Sequence, residues 1–159
     1  MIKDKLKFSI YCLVVFCVVC LPLTNCCFDK FATFQNATYS FYTTNCSVDF
    51  SNATVVKNGS SAIVSCNGSN APDVKRKITN LLGESIKIEK PSTSALAKID
   101  NYINKFLLYT EVLEGTKISY AYDPSLANFV VVDGNKVNLQ VAKTDFCIVV
   151  GYPLILGSF

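Results

Sequence analysis

Cysteine and asparagine carry most of the chemistry this sequence offers. Its 159 residues hold eight Cys and no His, so mechanisms that need an imidazole are excluded, from Ser-His-Asp triads to His-ligated zinc and His general bases. Asp and Glu are scattered, with no pair whose spacing nominates an acid and a base. No phosphate-binding Gly-rich loop, paired-Cys zinc spacing, EF-hand loop or nucleophile elbow occurs. The Cys17-x-x-Cys20 match lies inside an apolar run where redox chemistry has no place. The expectation is a protein that is no enzyme and carries no catalytic residue, cofactor or metal. A rival enzyme reading would need the fold to bring two buried carboxylates together.

The strongest motif is N-x-[ST]. It occurs at Asn36, Asn45, Asn52, Asn58 and Asn67, five times within 34 residues. With 13 Asn and 25 Ser plus Thr in the chain, chance places only about two over the whole length. Sequons matter only in the secretory pathway, and the N-terminus supplies that context. Lys3, Lys5 and Lys7 precede the uncharged apolar run 8–23, which small and polar Thr24, Asn25 and Cys26 follow, the order of a signal peptide. The run has 16 residues, short of the ~20 a membrane-crossing helix needs, and ends at Pro22. Residues 1–26 are therefore read as a cleaved signal peptide and 27–159 as a single α+β domain, secreted and without a stable membrane span after cleavage. A signal-anchored membrane protein is the alternative.

Cleavage after Cys26 leaves Cys27, Cys46, Cys66 and Cys147, an even number suited to an oxidising compartment. Of the three possible connectivities, Cys46–Cys66 with Cys27–Cys147 is the expectation; the second bridge ties the mature N-terminus to a C-terminal strand. The formal net charge is +3, of which the leader holds +2. The small remainder gives no electrostatic footprint for nucleic acid.

The elements that must position these residues follow from periodicity. In the glycan-bearing half, 27–70, the runs 38–44, 53–57 and 61–66 read as short strands, the last two joined at Asn58-Gly59, a hairpin signal. Val74, Ile78, Leu81 and Leu82 recur at helical spacing behind Pro72 and before Gly83, which predicts a helix over about 72–83. Its Lys75-Arg76-Lys77 run reads as a solvated face. Residues 84–90 alternate as a half-exposed strand ended by Pro91. The stripe Leu96, Ile99, Ile103, Phe106, Leu107 and Leu113 predicts a second helix over 94–114, although 106–112 is equally good strand material. The C-terminal β region, 117–159, contains the strand-like runs 117–122, 129–132, 136–142, 146–150 and 154–156, broken at Asp123-Pro124 and Asp133-Gly134. Val137, Leu139 and Val141 alternate with Asn138 and Gln140, predicting one wet face of an antiparallel sheet. The fold class is α+β: antiparallel sheet with one or two helices, stabilised by disulfides.

Two secreted families were compared with these features. Asp133-Gly134 followed by Phe146-Cys147 resembles the end of MD-2-related lipid-recognition domains, but the turn lies too far from the Cys and helices do not belong in that all-β fold. An immunoglobulin sandwich would explain a Cys66–Cys147 pair. This chain has no Trp, and Asp145 stands where the Tyr before the second Cys belongs. Neither kinship is claimed.

The functional expectation is a secreted N-glycosylated protein that binds an unknown protein partner at the cell surface or in the extracellular space, a build common among the host-interaction proteins that viruses and parasites secrete. The partner surface is expected on the sequon-free C-terminal half, in the segment Lys117 to Phe159, with Tyr120, Tyr122 and Tyr152 as aromatic anchors and Phe129 and Phe159 as further candidates. The alternative is a carrier holding a small apolar ligand among Phe41, Tyr42, Phe106, Tyr109, Tyr120, Tyr122 and Phe129.

Overall fold

The computed structural model describes residues 36–45 and 50–156; residues 1–26, Cys27, Cys46 and Phe159 lie outside them. In chain order the described elements are β1 (Ala37–Thr43), β2 (Thr54–Asn58), β3 (Ser61–Asn67), α1 (Ala71–Lys77), β4 (Leu81–Glu89), α2 (Thr93–Ile103), β5 (Leu107–Leu113), β6 (Thr116–Ala121), β7 (Val130–Val132), β8 (Asn135–Val137), β9 (Leu139–Lys143) and β10 (Cys147–Tyr152). Eight strands form one sheet in the order β2-β3-β1-β4-β10-β9-β6-β5, and β7 with β8 makes a separate hairpin. Every pairing is antiparallel, so an antiparallel sheet with two helices, α+β in character, is what the chain builds.

Register places one side chain of each facing pair on the same face. Cys66 faces Tyr39, Tyr39 faces Ile86, Ile86 faces Val150 and Val150 faces Val141. This row and its neighbours Phe41, Val64, Ile88, Ile148 and Leu139 share one core with Val74 of α1 and with Ile99 and Ile103 of α2. Helix α2 presents Ala95, Ile99 and Ile103 at a spacing of four and starts at Ser92, whose hydroxyl accepts from Ala95 N at 3.2 Å. Helix α1 is shorter. It has Pro72 in its first turn, Asp73 near its N-terminus and Lys75, Arg76 and Lys77 in its last turn, charges that complement the helix dipole.

Both helices are shorter than their patterns predict. The first stops at Lys77, not near Gly83, because Ile78 is already extended and Asn80 takes φ 55°. Leu81 and Leu82 open central strand β4, and Gly83 is needed for close approach: a Cβ there would lie 2.9 Å from the Tyr152 carbonyl oxygen. The second helix stops at Ile103, and Leu107–Leu113 pairs with β6 across the Glu114-Gly115 turn. In the predicted 94–114 helix the strand alternative for 106–112 wins over its second half, because the β-rich sequence Leu-Leu-Tyr-Thr-Glu-Val-Leu pairs with β6 across a two-residue turn.

The wet face expected for the strand after Lys136 is also corrected. Asn138 is fully buried and Gln140 nearly so. The Asn138 amide donates to Asp123 O at 2.7 Å and accepts from Asp123 N at 2.8 Å, while Gln140 Oε1 accepts from Ile155 N at 2.9 Å. Fully bonded amides can be buried at little cost. Residues 154–156 form no strand. They cross Gly151, where a Cβ would lie 2.6 Å from the Leu154 carbonyl carbon.

Candidate interaction surface

The five sequons frame one side of the sheet. Asn36, Asn52, Asn58 and Asn67 are exposed, and Asn45 is half-buried with its amide donating to Thr79 Oγ1 at 2.8 Å. Thr38 faces Asn67, and Asn70 Nδ2 donates to Asn52 O at 3.4 Å, so Asn36, Asn52 and Asn67 gather at one end of the β2-β3-β1 strands. Asn45 follows Thr43, which faces Ala62, and Asn58 faces Ser61, so both stand at the other end. Asn58 closes β2, and the two turn residues are Gly59 and Ser60, with Gly59 at φ 56° as the first central position of a type II′ turn requires. The expected hairpin is present, its loop one residue later than Asn-Gly implied. An open cleft of about 310 Å³ between residues 51–54 and 65–67 is rimmed by Asn52 and Asn67 themselves.

The cysteines divide across this frame. Cys66 opens onto that cleft and burial pushes its thiol up to about 11. Cys147 is buried near the Thr144 hydroxyl, 3.4 Å from its sulfur. Three strand spacings separate them, ~14 Å before any offset along the strands, and they project from opposite faces. A direct Cys66–Cys147 bridge is therefore out of reach, since Cα atoms beyond ~7 Å cannot be joined. The expected partners Cys46 and Cys27 lie outside the described residues.

The opposite side carries no sequon and much apolar surface. Leu107, Leu108, Val112 and Leu113 of β5 are exposed, as are Phe129 and Val131 beside and within β7. Backbone bonds join the two groups: Tyr122 N donates to Phe106 O and Asn138 N to Ala121 O, both at 3.0 Å, which sets the β7–β8 hairpin beside the start of β5. Tyr122 meets Phe129 edge-to-face at 6.3 Å, and Lys136 Nζ lies 4.6 Å from the Phe129 ring centre. The rings are thus held from both sides while Phe129 remains 44 % exposed.

The three tyrosines expected as anchors have different fates. Tyr122 is half-buried in the cluster just described. Tyr120 stacks on Tyr109 at 4.6 Å and donates its hydroxyl to Glu111 at 2.6 Å. Burial, then the Glu111 bond, push its phenol up to about 12. Tyr152 is only 6 % exposed, belongs to the core, and accepts from Asn128 N at 2.9 Å, so it has no surface to offer. Val131 and the β5 leucines were the residues that sequence reasoning did not bring to this surface; the Glu114-Gly115 turn before 117–122 was the available signal. Of the aromatics suggested for a ligand carrier, Tyr109 with Tyr120 and Tyr122 with Phe129 form ring pairs, while the other three lie apart. Phe41 lies in the helix-side core, Tyr42 bonds Ser85 on the other face at 3.3 Å, and Phe106 packs edge-to-face on Tyr102 at 5.6 Å.

Glu84, Asp100 and Asp123 are engaged in holding the fold. Glu84 is 3 % exposed and pairs with Lys75 at 2.7 Å; Asp100 pairs with Lys143, and Asp123 with Tyr102 and Ser125. No group of three or more metal-ligating side chains occurs among the described residues. Protein-family models, curated proteins and solved structures yield no match to the chain.

Proposed function

We propose that the chain is a secreted, N-glycosylated, disulfide-stabilised binding protein without catalytic activity, which meets a protein partner through the cluster of Tyr122, Phe129 and Val131. The observation that carries this reading is segregation. Sequon asparagines bracket the β2-β3-β1 strands, while the exposed aromatic and branched side chains of the β7–β8 hairpin stand where no sequon lies. Sugars are bulky and hydrated, so docking beside them requires their confinement, and a braced aromatic anchored by a neighbouring cation is the type of group that dominates interface energies. The order of charges and apolar residues at the N-terminus supports export from the cell, and no helix of the described residues is long and apolar enough to cross a membrane.

The test is cross-linking and affinity purification of tagged protein secreted by its native cell type, with the partner then measured against variants. Phe129→Asp combined with Tyr122→Ala is expected to weaken binding by roughly tenfold or more, and Val56→Asp on the sequon-flanked edge to leave it unchanged. The reverse pattern would show that the partner docks on the sequon side.

A further inference from the structure

Asn58 and Asn67 project from the same face of the sheet into different surroundings. Val55 and Val64 face each other on the helix side, so the alternate residues Thr54, Val56 and Asn58 of β2 and Ser61, Ile63, Ser65 and Asn67 of β3 point the other way. Thr38, Ser40 and Tyr42 of β1 join them, facing Asn67, Ser65 and Ile63. Asn58 is the last residue of β2 and faces Ser61. Its side chain therefore stands roughly perpendicular to the sheet, not out past the hairpin tip.

Beside Asn58 on this face, about 7 Å along the strand, Val56, Ile63 and Tyr42 face one another across three strands and form an apolar strip. Val56 is 57 % exposed, and Ile63 and Tyr42 are half-buried. The strip ends at Gly83, which faces Tyr42 and on which Leu156 closes: a Cβ there would lie 3.2 Å from the Leu156 methyl. The next row carries hydroxyls, from Thr54 through Ser65 and Ser40 to Ser85. Ser40 and Ser65 bond at 2.9 Å, and the Tyr42 hydroxyl lies 3.3 Å from that of Ser85. Asn67 has only this hydroxyl row next to it, because Ser65 stands where Val56 stands beside Asn58.

A pyranose ring has an apolar C–H face and a hydroxyl rim, and N-acetylglucosamine adds an acetamide with an apolar methyl. An apolar strip bordered by hydroxyls suits both parts, in the manner of ligand sites that combine apolar surface with a few placed polar groups. Such a contact is weak between free partners. A sugar attached at Asn58 would meet the strip intramolecularly, at an effective concentration in the millimolar range, which lets a weak contact be populated.

We propose that the strip of Val56, Ile63 and Tyr42 is the seat of the N-glycan on Asn58, whose first N-acetylglucosamine lies on it and stabilises the β2 edge of the sheet. The attachment point beside the strip identifies the occupant. This seat rests on the glycosylated reading above, since it needs sugar at Asn58, and it adds a fixed place for that sugar.

The test is thermal unfolding of the full protein secreted from eukaryotic cells, with occupancy of Asn58 read by glycopeptide mapping. Ser60→Ala, which deletes the sequon and keeps Asn58, is expected to lower the midpoint by about 3 °C or more. Ser60→Thr, which keeps the sequon, is expected to leave it unchanged. In a Val56→Ser background the further loss from Ser60→Ala is expected to shrink to less than about half, as for groups in contact. Ser69→Ala, which removes the Asn67 sequon, is expected to show no such coupling to Val56→Ser. In isotope-labelled glycoprotein, nuclear Overhauser effects are expected from the acetamide methyl of the first sugar to the methyls of Val56 or Ile63. Bare Asn58 in the secreted wild type overturns the seat together with glycosylation of that sequon. With Asn58 occupied, an equal effect of Ser60→Ala in both backgrounds, the same coupling for Ser69→Ala, or no Overhauser contact with the strip overturns the seat alone and leaves the glycosylated reading standing.

Discussion

The two edges of the sheet solve one problem in different ways. Strand β2 is five residues long, carries Lys57, and lies between the sequons of Asn52 and Asn58. Strand β5 is seven residues long, mostly apolar, and has no sequon near it. An unpaired edge is a template for another strand. A charge and flanking sugars would blunt the first edge, whereas the second is interrupted by a β-bulge between Leu107 and Tyr109. The same division reaches the faces. Beside β2 the cleft is rimmed by sequon asparagines, and beside β5 stand Tyr122, Phe129 and Val131. One side would be kept clear of protein contacts and the other kept available for them.

The largest effect tests whether the two edges belong to one cooperative unit. Phe41 is fully buried in β1, and Phe41→Ala is expected to cost about 3–5 kcal/mol in urea unfolding, with hydrogen exchange rising at β2 and β5 together. Protection lost at β3 but kept at β6 would mean that the edges report on separate units. Next is Asn138→Ala, which removes a buried amide bonded to both backbone groups of Asp123. About 1–3 kcal/mol of stability is expected to go, with exchange increasing around Tyr122 and not at β2. Gly115→Ala, at φ 81°, strains the turn that holds β5 in register. A loss of about 1–2 kcal/mol is expected, with hydrogen exchange rising at β5 and β6 and not at β2; unchanged exchange at β5 would show that the turn does not hold the pair.

The smallest effect is a titration. The Tyr120 phenol is pushed up to about 12, first by burial and then by its bond to Glu111. A folded-state value above the ordinary one means a contribution that is complete below pH ~10 and lost as pH rises toward 12. Glu111→Gln is expected to lower this phenol's midpoint only in part, as read by phenolate absorbance, because burial is the larger cause. A full return to the ordinary value would show that Tyr120 is not shielded by the sheet.

Where local pattern and tertiary pairing agree, the sequence was legible. The runs 38–44, 117–122 and 146–150 appear as strands near their expected positions, and Gly59 and Gly134 stand in turns. The failures share one cause. Ile99 and Ile103 continue without interruption into Phe106 and Leu107, so the apolar stripe runs on past the helix end; the strand character of 106–112 was visible, and pairing of β5 with β6 decides for it. Gly83 reads as a helix stop until the Tyr152 carbonyl is placed against it. Asn138 and Gln140 read as wet because polarity cannot reveal that their partners, Asp123 and Ile155, arrive from elsewhere in the chain. In the candidate surface, type was readable and exposure was not. Tyr122 and Tyr152 are the same residue in similar strand-rich surroundings, yet one rims the hairpin and the other fills the core.

The contrast between a sugar-clad side and a bare one rests most directly on whether the sequons are used. Glycopeptide mapping of the protein secreted from eukaryotic cells, site by site, is the measurement. The expected result is attached glycan at exposed Asn36, Asn52, Asn58 and Asn67, with lower occupancy at Asn45, whose amide is already bonded to Thr79. Unmodified asparagine at all four exposed positions in secreted protein would contradict it, leaving both sides of the sheet equally open to a partner.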